Sequence, residues 1–469
     1  MKHSFNKITP FFIKKLQNAL GENAVFTQAE TLEKHATDFS DELHFPPEVV
    51  VKPSNTEGVS KVMKLCHKHR IPVTVQGARS GLSGAALAVL GGVALSMERF
   101  DKILNIDAEN YQVTVEPAII TEHLQNVLKE QGLFYPPDPA GRGYSFIGGN
   151  IATNAGGPRC VKYGVTRDYV LNLEIVLANG EILWTGANTL KNSTGYNLTQ
   201  LIVGSEGTLA VVTKIVLKLL PYPNFNLLML APFFKEEDAC AVVAKIFQAG
   251  ITPSALEFMD KNTLDYAVRY VGGASFPIHP DHEAHLLIEV DGNDVNVLQQ
   301  DCEKIAEVLS SFSVDDILFA DSETQKNDLW HLRRNAANGL KTLSYAKFSE
   351  DTVVPRTKLP DLLRGVKAIG EKYNFKIANL GHIGDGNIHV NIMNDEPLTD
   401  EWRERTKAAK KEIFQLTHAL GGMLSAEHGV GIVQKPYMSI FFSETHLNLL
   451  RGVKKAFDPK GILNPEKVM

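Results

Sequence analysis

The sequence predicts an α+β protein with more than one domain. Its 469 residues exceed what a single hydrophobic core usually serves. Strand-like and helix-like segments alternate from Glu48 to about Leu220, and a second set begins near Asn226 in an order that suits an antiparallel sheet covered by helices. We therefore divide the chain into an N-terminal helical segment (1–43), a first domain (44–221), a second domain (222–420) and a C-terminal helical segment (421–469) that returns to the first domain.

The elements of the first domain follow from local patterns. A β-branched strand at 49–51 ends at Pro53, and Ser54 stands three residues before Glu57, a capping-box spacing that predicts a helix through His69. A second helix is predicted at 121–131, and Asn179-Gly180 has the composition of a hairpin turn. The remaining predicted strands lie at 71–77, 91–97, 111–117, 171–183 and 208–220.

The second domain and the tail are assigned in the same way. Apolar segments predict strands, and charged segments with helical periodicity predict helices. The predicted strands are 226–233, 254–260 and 285–292, and the predicted helices lie after Glu236, at 295–310, from about 401, and in the tail from 451.

Bulk composition excludes several classes of protein. The net charge is −6 and basic residues are scattered, which argues against nucleic-acid binding. No apolar run approaches the roughly 18 residues of a membrane span, and the N-terminus lacks the apolar core of a signal peptide. The cysteines have no spacing typical of an iron–sulfur cluster, which indicates free thiols and a cytoplasmic protein: Cys66, Cys160, Cys240 and Cys302.

Three glycine-rich loops point to a nucleotide cofactor. They occupy 76–84, directly after a predicted strand, 146–157 and 204–213. Glycine lets backbone N–H groups converge on an anion without steric hindrance from a Cβ atom. The first loop lacks the G-x-G-x-x-G spacing and the acidic partner of an NAD site, and by itself it is equally consistent with a structural turn. Three such loops together predict a large nucleotide cofactor.

These loops, with the turn Tyr135-Pro-Pro-Asp-Pro139, resemble the flavin-binding domain of the vanillyl-alcohol oxidase and p-cresol methylhydroxylase superfamily over roughly 44–221. The resemblance implies a two-subdomain FAD-binding domain with the pyrophosphate on Gly77 to Gly84. Arg79 and Ala85 depart from the usual loop, so Arg79 either pairs with a phosphate or lies outside the site. The loop holds no His or Cys, so covalent attachment of FAD is not implied. The implied FAD-binding residues are Gln76, Gly77, Ala78, Arg79, Ser80, Gly81, Leu82, Ser83, Pro137, Asp138, Gly148, Gly149, Asn150, Thr153, Asn154, Gly156, Gly157, Gly164, Glu206, Gly207, Val211 and Asn464.

A candidate metal site lies in the second half of the chain. His382 and His389 are an odd number of residues apart, which on one unbroken strand would place them on opposite faces. Gly384-Asp-Gly386 breaks the strand, so a turn can bring the imidazoles together. Glu427 would complete a His₂Glu set that suits Zn²⁺ and tolerates Mn²⁺ or Fe²⁺, with positions left open for a substrate. The alternative is that each histidine is simply buried and hydrogen-bonded.

From about Phe225 to the end, including GHIGDGNIHVN, SAEHGVG and GILNPEK, the sequence resembles the FAD-linked D-2-hydroxyacid dehydrogenases. The resemblance implies metal ligation by His382, His389 and Glu427. It makes His428 the catalytic base and Arg333 a catalytic residue that binds the substrate carboxylate. Two further substrate-binding candidates are Lys347 and Asn391, and Asn391 lies on the same strand face as His389. Without the resemblance, Arg333 would be assigned to a surface ion pair.

The implied reaction is oxidation of a D-2-hydroxy acid to the 2-oxo acid. The substrate would chelate the metal through its carboxylate and hydroxyl, His428 would take the hydroxyl proton, and hydride would leave C2 for flavin N5. The segment 348–355 resembles the lactate and glycolate branch, and Ala337 lacks the hydroxyl expected for a second carboxylate, so a D-lactate-like monocarboxylate is favoured. The alternatives are D-2-hydroxyglutarate dehydrogenase and the glycolate oxidase subunit of a larger complex.

The sequence also leads to expectations about partners and leaves alternative functions to compare. Electrons would pass to a quinone, an electron-transfer flavoprotein or an iron–sulfur partner subunit, and a homodimer is also compatible with the sequence. A metal-dependent hydrolase would leave the glycine loops unexplained, and a non-catalytic electron-transfer subunit would not need His428 and Arg333. The sequence leaves open the alternative that the protein is a true oxidase, with oxygen as its electron acceptor.

Overall fold

The structure is a computed structural model that describes residues 5–40, 43–394 and 398–468. The chain forms two compact units. The first unit comprises Met1–Gly156, Val165–Tyr222 and Glu427–Met469, and the second comprises Gly157–Gly164 and Pro223–Ala426. Both units mix helices and sheets, as the sequence predicts. The C-terminal residues group with the first unit from Glu427 onward, and the short segment 157–164 groups with the second.

The strands are named in chain order. They are β1 (Val25–Phe26), β2 (Val49–Val51), β3 (Val73–Gln76), β4 (Val93–Ser96), β5 (Ile103–Asp107), β6 (Gln112–Val115), β7 (Leu133–Phe134), β8 (Val170–Val176), β9 (Ile182–Trp184), β10 (Val211–Lys218), β11 (Leu220–Pro221), β12 (Phe225–Phe233), β13 (Ala255–Asp260), β14 (Ala284–Gly292), β15 (Leu318–Phe319), β16 (Ala346–Val353), β17 (Lys376–Gly381) and β18 (Asn387–Asn394).

The α-helices are named in the same order. They are α1 (Pro10–Leu20), α2 (Ala29–Lys34), α3 (Thr56–His69), α4 (Thr121–Lys129), α5 (Ile147–Thr153), α6 (Cys160–Tyr163), α7 (Leu198–Ile202), α8 (Glu236–Gln248), α9 (Lys261–Val271), α10 (Val295–Leu309), α11 (Glu323–Thr342), α12 (Leu359–Tyr373), α13 (Asp400–Ala419), α14 (Met438–Phe441) and α15 (Glu444–Phe457).

The first unit contains two main sheets. One has the order β1-β2-β4-β3, with β2, β4 and β3 parallel, and the other is antiparallel with the order β5-β6-β10-β8-β9. The apolar faces of β2, β3 and β4 pack against α3, and Ile462 and Leu463 from the C-terminal tail join this core. The tail is fixed there because Val73 N donates to Ile462 O at 2.8 Å.

The start of α3 differs from the sequence prediction. The helix begins at Thr56, and its N-cap is Asn55, whose Oδ1 accepts a hydrogen bond from Gly58 N at 2.8 Å. The predicted capping box of Ser54 and Glu57 is therefore wrong by one residue. Asn is as good an N-cap as Ser, so the pattern located the helix and not its cap. The predicted end at His69 is confirmed.

The second unit is built on a seven-stranded antiparallel sheet with the order β15-β12-β14-β13-β17-β18-β16. Alternate residues of a strand point to opposite faces. One face, with Ile388 and Val390 of β18, packs against α8, α10, α12 and α13. The other face, with Met259 of β13 and Leu380 of β17, packs against α9 and α11. His389 and Asn391 alternate with Ile388 and Val390, so they lie on the face of α9 and α11.

The cysteines and the hydropathy of the helices can also be compared with the sequence analysis. All four cysteines are free thiols, as predicted. Within the described residues, no helix combines the length and the hydropathy that crossing a bilayer requires.

Candidate active site

The first glycine loop continues directly from β3 and provides a cradle for an anionic group. Apart from the adjoining backbone, no described heavy atom lies within 4 Å of the position that a Cβ atom would take at Gly81 or at Gly149, which lies in α5 within the second loop. The Ser83 side chain is 2% exposed, and its Oγ has no hydrogen-bond partner among the described residues. Open space beside glycine backbone, next to a buried hydroxyl without a partner, fits a pyrophosphate.

Two polar side chains of this loop are occupied within the protein. Gln76 is fully buried, with its Oε1 2.6 Å from His35 Nδ1 and its Nε2 donating to Ala86 O at 2.7 Å. Arg79 has a left-handed backbone (φ 57°), and its Nη1 lies 3.3 Å from the same His35 nitrogen. The Gln76 side chain therefore holds the base of the loop, and Arg79 lies against His35.

The other predicted FAD-binding residues lie in loops, at element ends or within α5. Asp138 is buried and paired with Arg142 at 2.8 Å, and Asn150 of α5 donates to Thr121 Oγ1 at 2.7 Å. Asn154 ends α5 in a left-handed conformation, and Gly157 and Gly164 flank α6 in the second unit. The remaining positions are Ala78, Ser80 and Leu82 in the first loop, Pro137 beside Asp138, Gly148 and Thr153 in α5, Gly156 after it, and Val211 at the start of β10.

Asn464 ties the tail to two loops of the first unit. Its Nδ2 donates to Ala85 O at 3.1 Å and to Glu206 O at 2.5 Å. A Cβ atom at Gly207 would lie 3.4 Å from the same nitrogen. These contacts place two of the predicted FAD-binding residues, Glu206 and Asn464, side by side.

The Glu206 side chain has a role that sequence reasoning missed. It accepts a hydrogen bond from Val430 N at 2.7 Å and another from Gly431 N at 2.8 Å. Burial raises the pKa of this carboxyl to about 7, against the opposing effect of those two N–H groups. Glu206 thus holds the segment that carries Glu427 and His428, whose side chains are 13% and 22% exposed. The sequence signal for this role is a single charged residue, Glu206, within the otherwise uncharged segment VGSEGTL.

His382 and His389 lie on either side of a tight turn, as predicted. His382 follows β17, a 3₁₀ turn spans Ile383–Asp385, Gly386 is left-handed (φ 81°) and β18 carries His389. The strands pair antiparallel, and the two rings stand at 89° with centroids 5.5 Å apart. Candidate ligand atoms of the two histidines lie within 4.8 Å of each other. Both side chains are buried, so the turn forms a pair of imidazoles suited to a divalent metal.

Two buried carboxylates stand behind these histidines, and neither was predicted. Glu257 of β13 lies with Oε1 2.7 Å and Oε2 2.9 Å from His382 Nδ1. Asp351 of β16 lies with Oδ1 3.4 Å from His389 Nδ1, and its Oδ2 accepts from the backbone N of Ala426 at 2.9 Å. Metal-binding histidines usually direct their second nitrogen at such a carboxylate. An acidic residue inside an otherwise apolar strand, as in SALEFMD, is the available sequence signal.

The three predicted substrate-binding residues all lie in the second unit. Arg333 of α11 is 6% exposed, its Nη2 lies 2.6 Å from Glu257 Oε2, and its Nε has no hydrogen-bond partner in the described part of the chain. Asn391 is fully buried, donates to Ala378 O at 2.9 Å, and keeps its Oδ1 without a described partner. Lys347 of β16 shares a sheet face with Asn391, because it stands two residues from Ser349, which is opposite Asn391.

Comparison with known protein families identifies the chain. A profile described as the FAD binding domain matches residues 47–186, and one described as FAD linked oxidases, C-terminal domain, matches residues 222–468. The chain belongs to the FAD-linked oxidases. The FAD-binding domain predicted from the glycine loops is therefore confirmed.

Relatives and solved structures agree with this assignment. The chain is 35% identical to a D-lactate dehydrogenase of Anaerostipes hadrus over 100% of this chain and 99% of the relative. It is 38% identical to the glycolate oxidase subunit GlcD of Bacillus subtilis over 92% of this chain and 91% of that one. A crystal structure of p-cresol methylhydroxylase with substrate bound matches with a TM-score of 0.83 at 18% identity, covering 99% of this chain and 98% of that chain. That structural likeness confirms the predicted fold.

Proposed function

We propose that this FAD-linked oxidoreductase oxidises a D-2-hydroxy acid to the 2-oxo acid with the help of a divalent metal. The observation that carries the proposal is the pair His382 and His389, backed by carboxylates, on a sheet whose nearby helix carries the buried cation Arg333. A guanidinium whose Nε is open, beside two imidazoles suited to a metal, fits an anionic substrate that also offers a hydroxyl.

The residues of the chain have separate roles in this proposal. His382, His389 and Glu427 hold the metal, for which Zn²⁺ is favoured over Mn²⁺ and Fe²⁺. Glu427 directly follows Ala426, whose backbone N is bound by Asp351 next to His389. When bound, the metal polarises the substrate hydroxyl and FAD accepts the two electrons. His428 removes the hydroxyl proton, for which histidine suits neutral pH.

Polar side chains of the second unit orient the substrate in this proposal. Arg333 pairs with the substrate carboxylate, and the open Oδ1 of Asn391 accepts a hydrogen bond from the substrate. Lys347 is a second cation on the same sheet face as Asn391. The loop cradle with Ser83 in the first unit holds the FAD pyrophosphate.

A D-lactate-like monocarboxylate is the favoured substrate. Relatives that span nearly the whole chain are named D-lactate dehydrogenase in Anaerostipes hadrus and D-2-hydroxyglutarate dehydrogenase in Stutzerimonas stutzeri, the latter 32% identical over 98% of this chain and 99% of the relative. Ala337 on α11 has no hydroxyl for a second carboxylate, which favours the first. Glycolate is the second candidate because of the 38% identity to GlcD.

The proposal also covers the electron acceptor and the oligomeric state. We propose transfer to a quinone, an electron-transfer flavoprotein or an iron–sulfur partner subunit, with the enzyme as a cytoplasmic homodimer or as one subunit of a complex.

Anaerobic titration of the yellow holoenzyme tests the activity. We expect D-lactate to bleach the flavin absorbance at lower concentration than glycolate or D-2-hydroxyglutarate, and L-lactate to leave it oxidised. Failure of every D-2-hydroxy acid in the panel to reduce the flavin would refute the proposal. Bleaching by D-2-hydroxyglutarate at a concentration far below that of D-lactate would refute the monocarboxylate assignment alone.

A further inference from the structure

Glu257 is a buried carboxylate on the sheet of the second unit. It is the third residue of β13 and has no exposed surface. β13 and β17 pair with Phe258 opposite Gly381, so Glu257 stands opposite His382, one residue further in the same register. Since side chains alternate along a strand, Glu257 lies on the sheet face of Met259, toward α9 and α11.

This carboxylate is shared by two residues with different proposed roles. Both of its oxygens lie within 2.9 Å of His382 Nδ1, and Oε2 lies 2.6 Å from Arg333 Nη2. His382 is a proposed metal ligand and Arg333 the proposed partner of the substrate carboxylate. These contacts connect residues that are far apart in sequence, 125 positions in the case of Glu257 and His382.

A purely structural ion pair explains the arrangement less well. Arg333 Nη2 lies 2.6 Å from Glu257 Oε2, but its Nε has no hydrogen-bond partner within the described residues, so Glu257 satisfies only part of the guanidinium. The same carboxylate also faces the imidazole of His382 with both oxygens. A carboxylate that faces Nδ1 of a histidine selects the tautomer with the proton on Nδ1 and leaves Nε2 as the ligand atom.

We propose that Glu257 is a positioning residue of the active site. It fixes His382 in the tautomer and ring orientation that present Nε2 to the metal, and it holds Arg333 beside the same site. The inference rests on the proposed metal-dependent function and deepens it. A carboxylate that faces the second nitrogen of a metal-binding histidine also makes the imidazole a stronger ligand, and its loss typically weakens metal binding by about 10- to 100-fold.

The test is metal affinity, which requires no turnover. The FAD-loaded enzyme is stripped of metal, and the Kd for Zn²⁺ and for Mn²⁺ is measured by competition with a chromophoric chelator. We expect Glu257→Gln to raise both Kd values by about 10- to 100-fold, because Gln keeps the shape of Glu and removes its charge. His382→Ala marks the loss of a direct ligand.

The matched control is Glu289→Gln. Glu289 is a buried glutamate on the neighbouring strand β14, where it accepts from Ser254 Oγ at 3.1 Å and Trp330 Nε1 at 3.0 Å. Its substitution should lower thermal stability and leave both metal Kd values unchanged. A structural role for Glu257 would likewise change stability alone, so unchanged Kd values in Glu257→Gln would overturn the inference.

If Glu257→Gln does not fold, Glu257→Asp is measured in its place, because Asp keeps the charge but withdraws it from His382 by one methylene. A raised Kd then supports the inference, and a wild-type Kd overturns it. If the wild-type enzyme shows no saturable metal binding, the proposed metal-dependent function fails and the inference fails with it. Binding by wild type with no effect of either Glu257 substitution removes the inference alone.

Discussion

Glu206 Oε2 accepts a hydrogen bond from the backbone N–H of Gly431 at 2.8 Å, across 225 positions of sequence. The other oxygen accepts from the preceding N–H group, so one carboxylate fixes two successive peptide units. A Cβ atom at Gly429 would lie 3.0 Å from the Glu206 carboxyl carbon, so the glycine allows this close approach. The segment begins immediately after Glu427 and His428, and its position is therefore set by a side chain of the flavin-binding unit.

Glu206→Gln should slow catalysis in the FAD-loaded enzyme. Gln offers one acceptor oxygen, and its NH₂ group would face the second backbone N–H, so the segment that carries His428 should shift. A misplacement of about 1 Å can cost roughly 100-fold in rate, and we expect the rate of anaerobic flavin reduction to fall by about 10- to 100-fold. Stopped-flow reduction at saturating D-lactate, with FAD content measured by absorbance, checks this.

The control for that variant is Glu174→Gln. Glu174 is a buried glutamate of the same unit that accepts from Thr56 Oγ1 at 2.6 Å and Thr213 Oγ1 at 2.9 Å, away from the 427–431 segment. It should lose stability and reduce its flavin at the wild-type rate. Equal rates for the Glu206 variant and wild type would show that the segment holds its own conformation.

His428→Ala should remove the proposed base and little else. General-base catalysis contributes about 100- to 10,000-fold, so flavin reduction at saturating substrate should slow by that factor. FAD and metal contents should stay at wild-type levels, since neither group is proposed to be bound by His428. Near-wild-type reduction by this variant would exclude His428 as the base.

Arg333→Lys should act mainly on substrate binding. Lysine keeps the charge and loses the planar fork that pairs with a carboxylate through two hydrogen bonds. We expect the KM for D-lactate to rise by about 10-fold or more, with a smaller change in kcat. Arg334→Lys is the control, because that neighbouring guanidinium lies 5.0 Å from the centre of the Trp330 ring and has no proposed contact with substrate. Equal KM values in the two variants would contradict the role of Arg333.

His285 should make stability depend on pH. It is fully buried, neither ring nitrogen has a hydrogen-bond partner among the described residues, and its ring lies 5.4 Å from that of His282. Burial, and then the nearby His282, lowers the pKa of His285 to about 3. The unfolded chain binds this proton below about pH 6.5 and the folded chain does not, so stability is complete above pH 6.5 and falls as the pH drops toward 3.

Urea unfolding at pH 7.5 and pH 5 measures the effect. His285 should account for a loss of about 2 kcal/mol in the free energy of unfolding between these values. His285→Phe should remove that part of the loss, whereas His331→Gln, at an exposed position of α11, should leave it unchanged. Identical pH dependence of wild type and His285→Phe would exclude His285 as its source.

Much of the fold could be predicted because its signals are local. β-Branched runs gave the strands at Val49–Val51 and Val211–Lys218, and the two glycines at 384 and 386 gave the turn that brings His382 and His389 together. Where two neighbouring residues could serve equally well, the prediction failed, as at Asn55, which caps α3 in place of Ser54. The metal ligands were proposed from residue type and spacing as well as from a resemblance, whereas the base and the substrate residues came from the resemblance alone.

The sequence by itself determined many of the strands and helices, the flavin loops and the histidine turn, because backbone propensity and glycine conformation act over a few residues. Tertiary structure decided which buried carboxylates contact the histidine turn and the C-terminal segment. Glu257 looks like an ordinary acidic residue in its strand until the register of β13 and β17 sets it against His382, and Glu206 gains its role only when the C-terminal segment packs on it. A buried charge must find a partner to offset its desolvation, and that partner is chosen by packing across more than a hundred residues of chain.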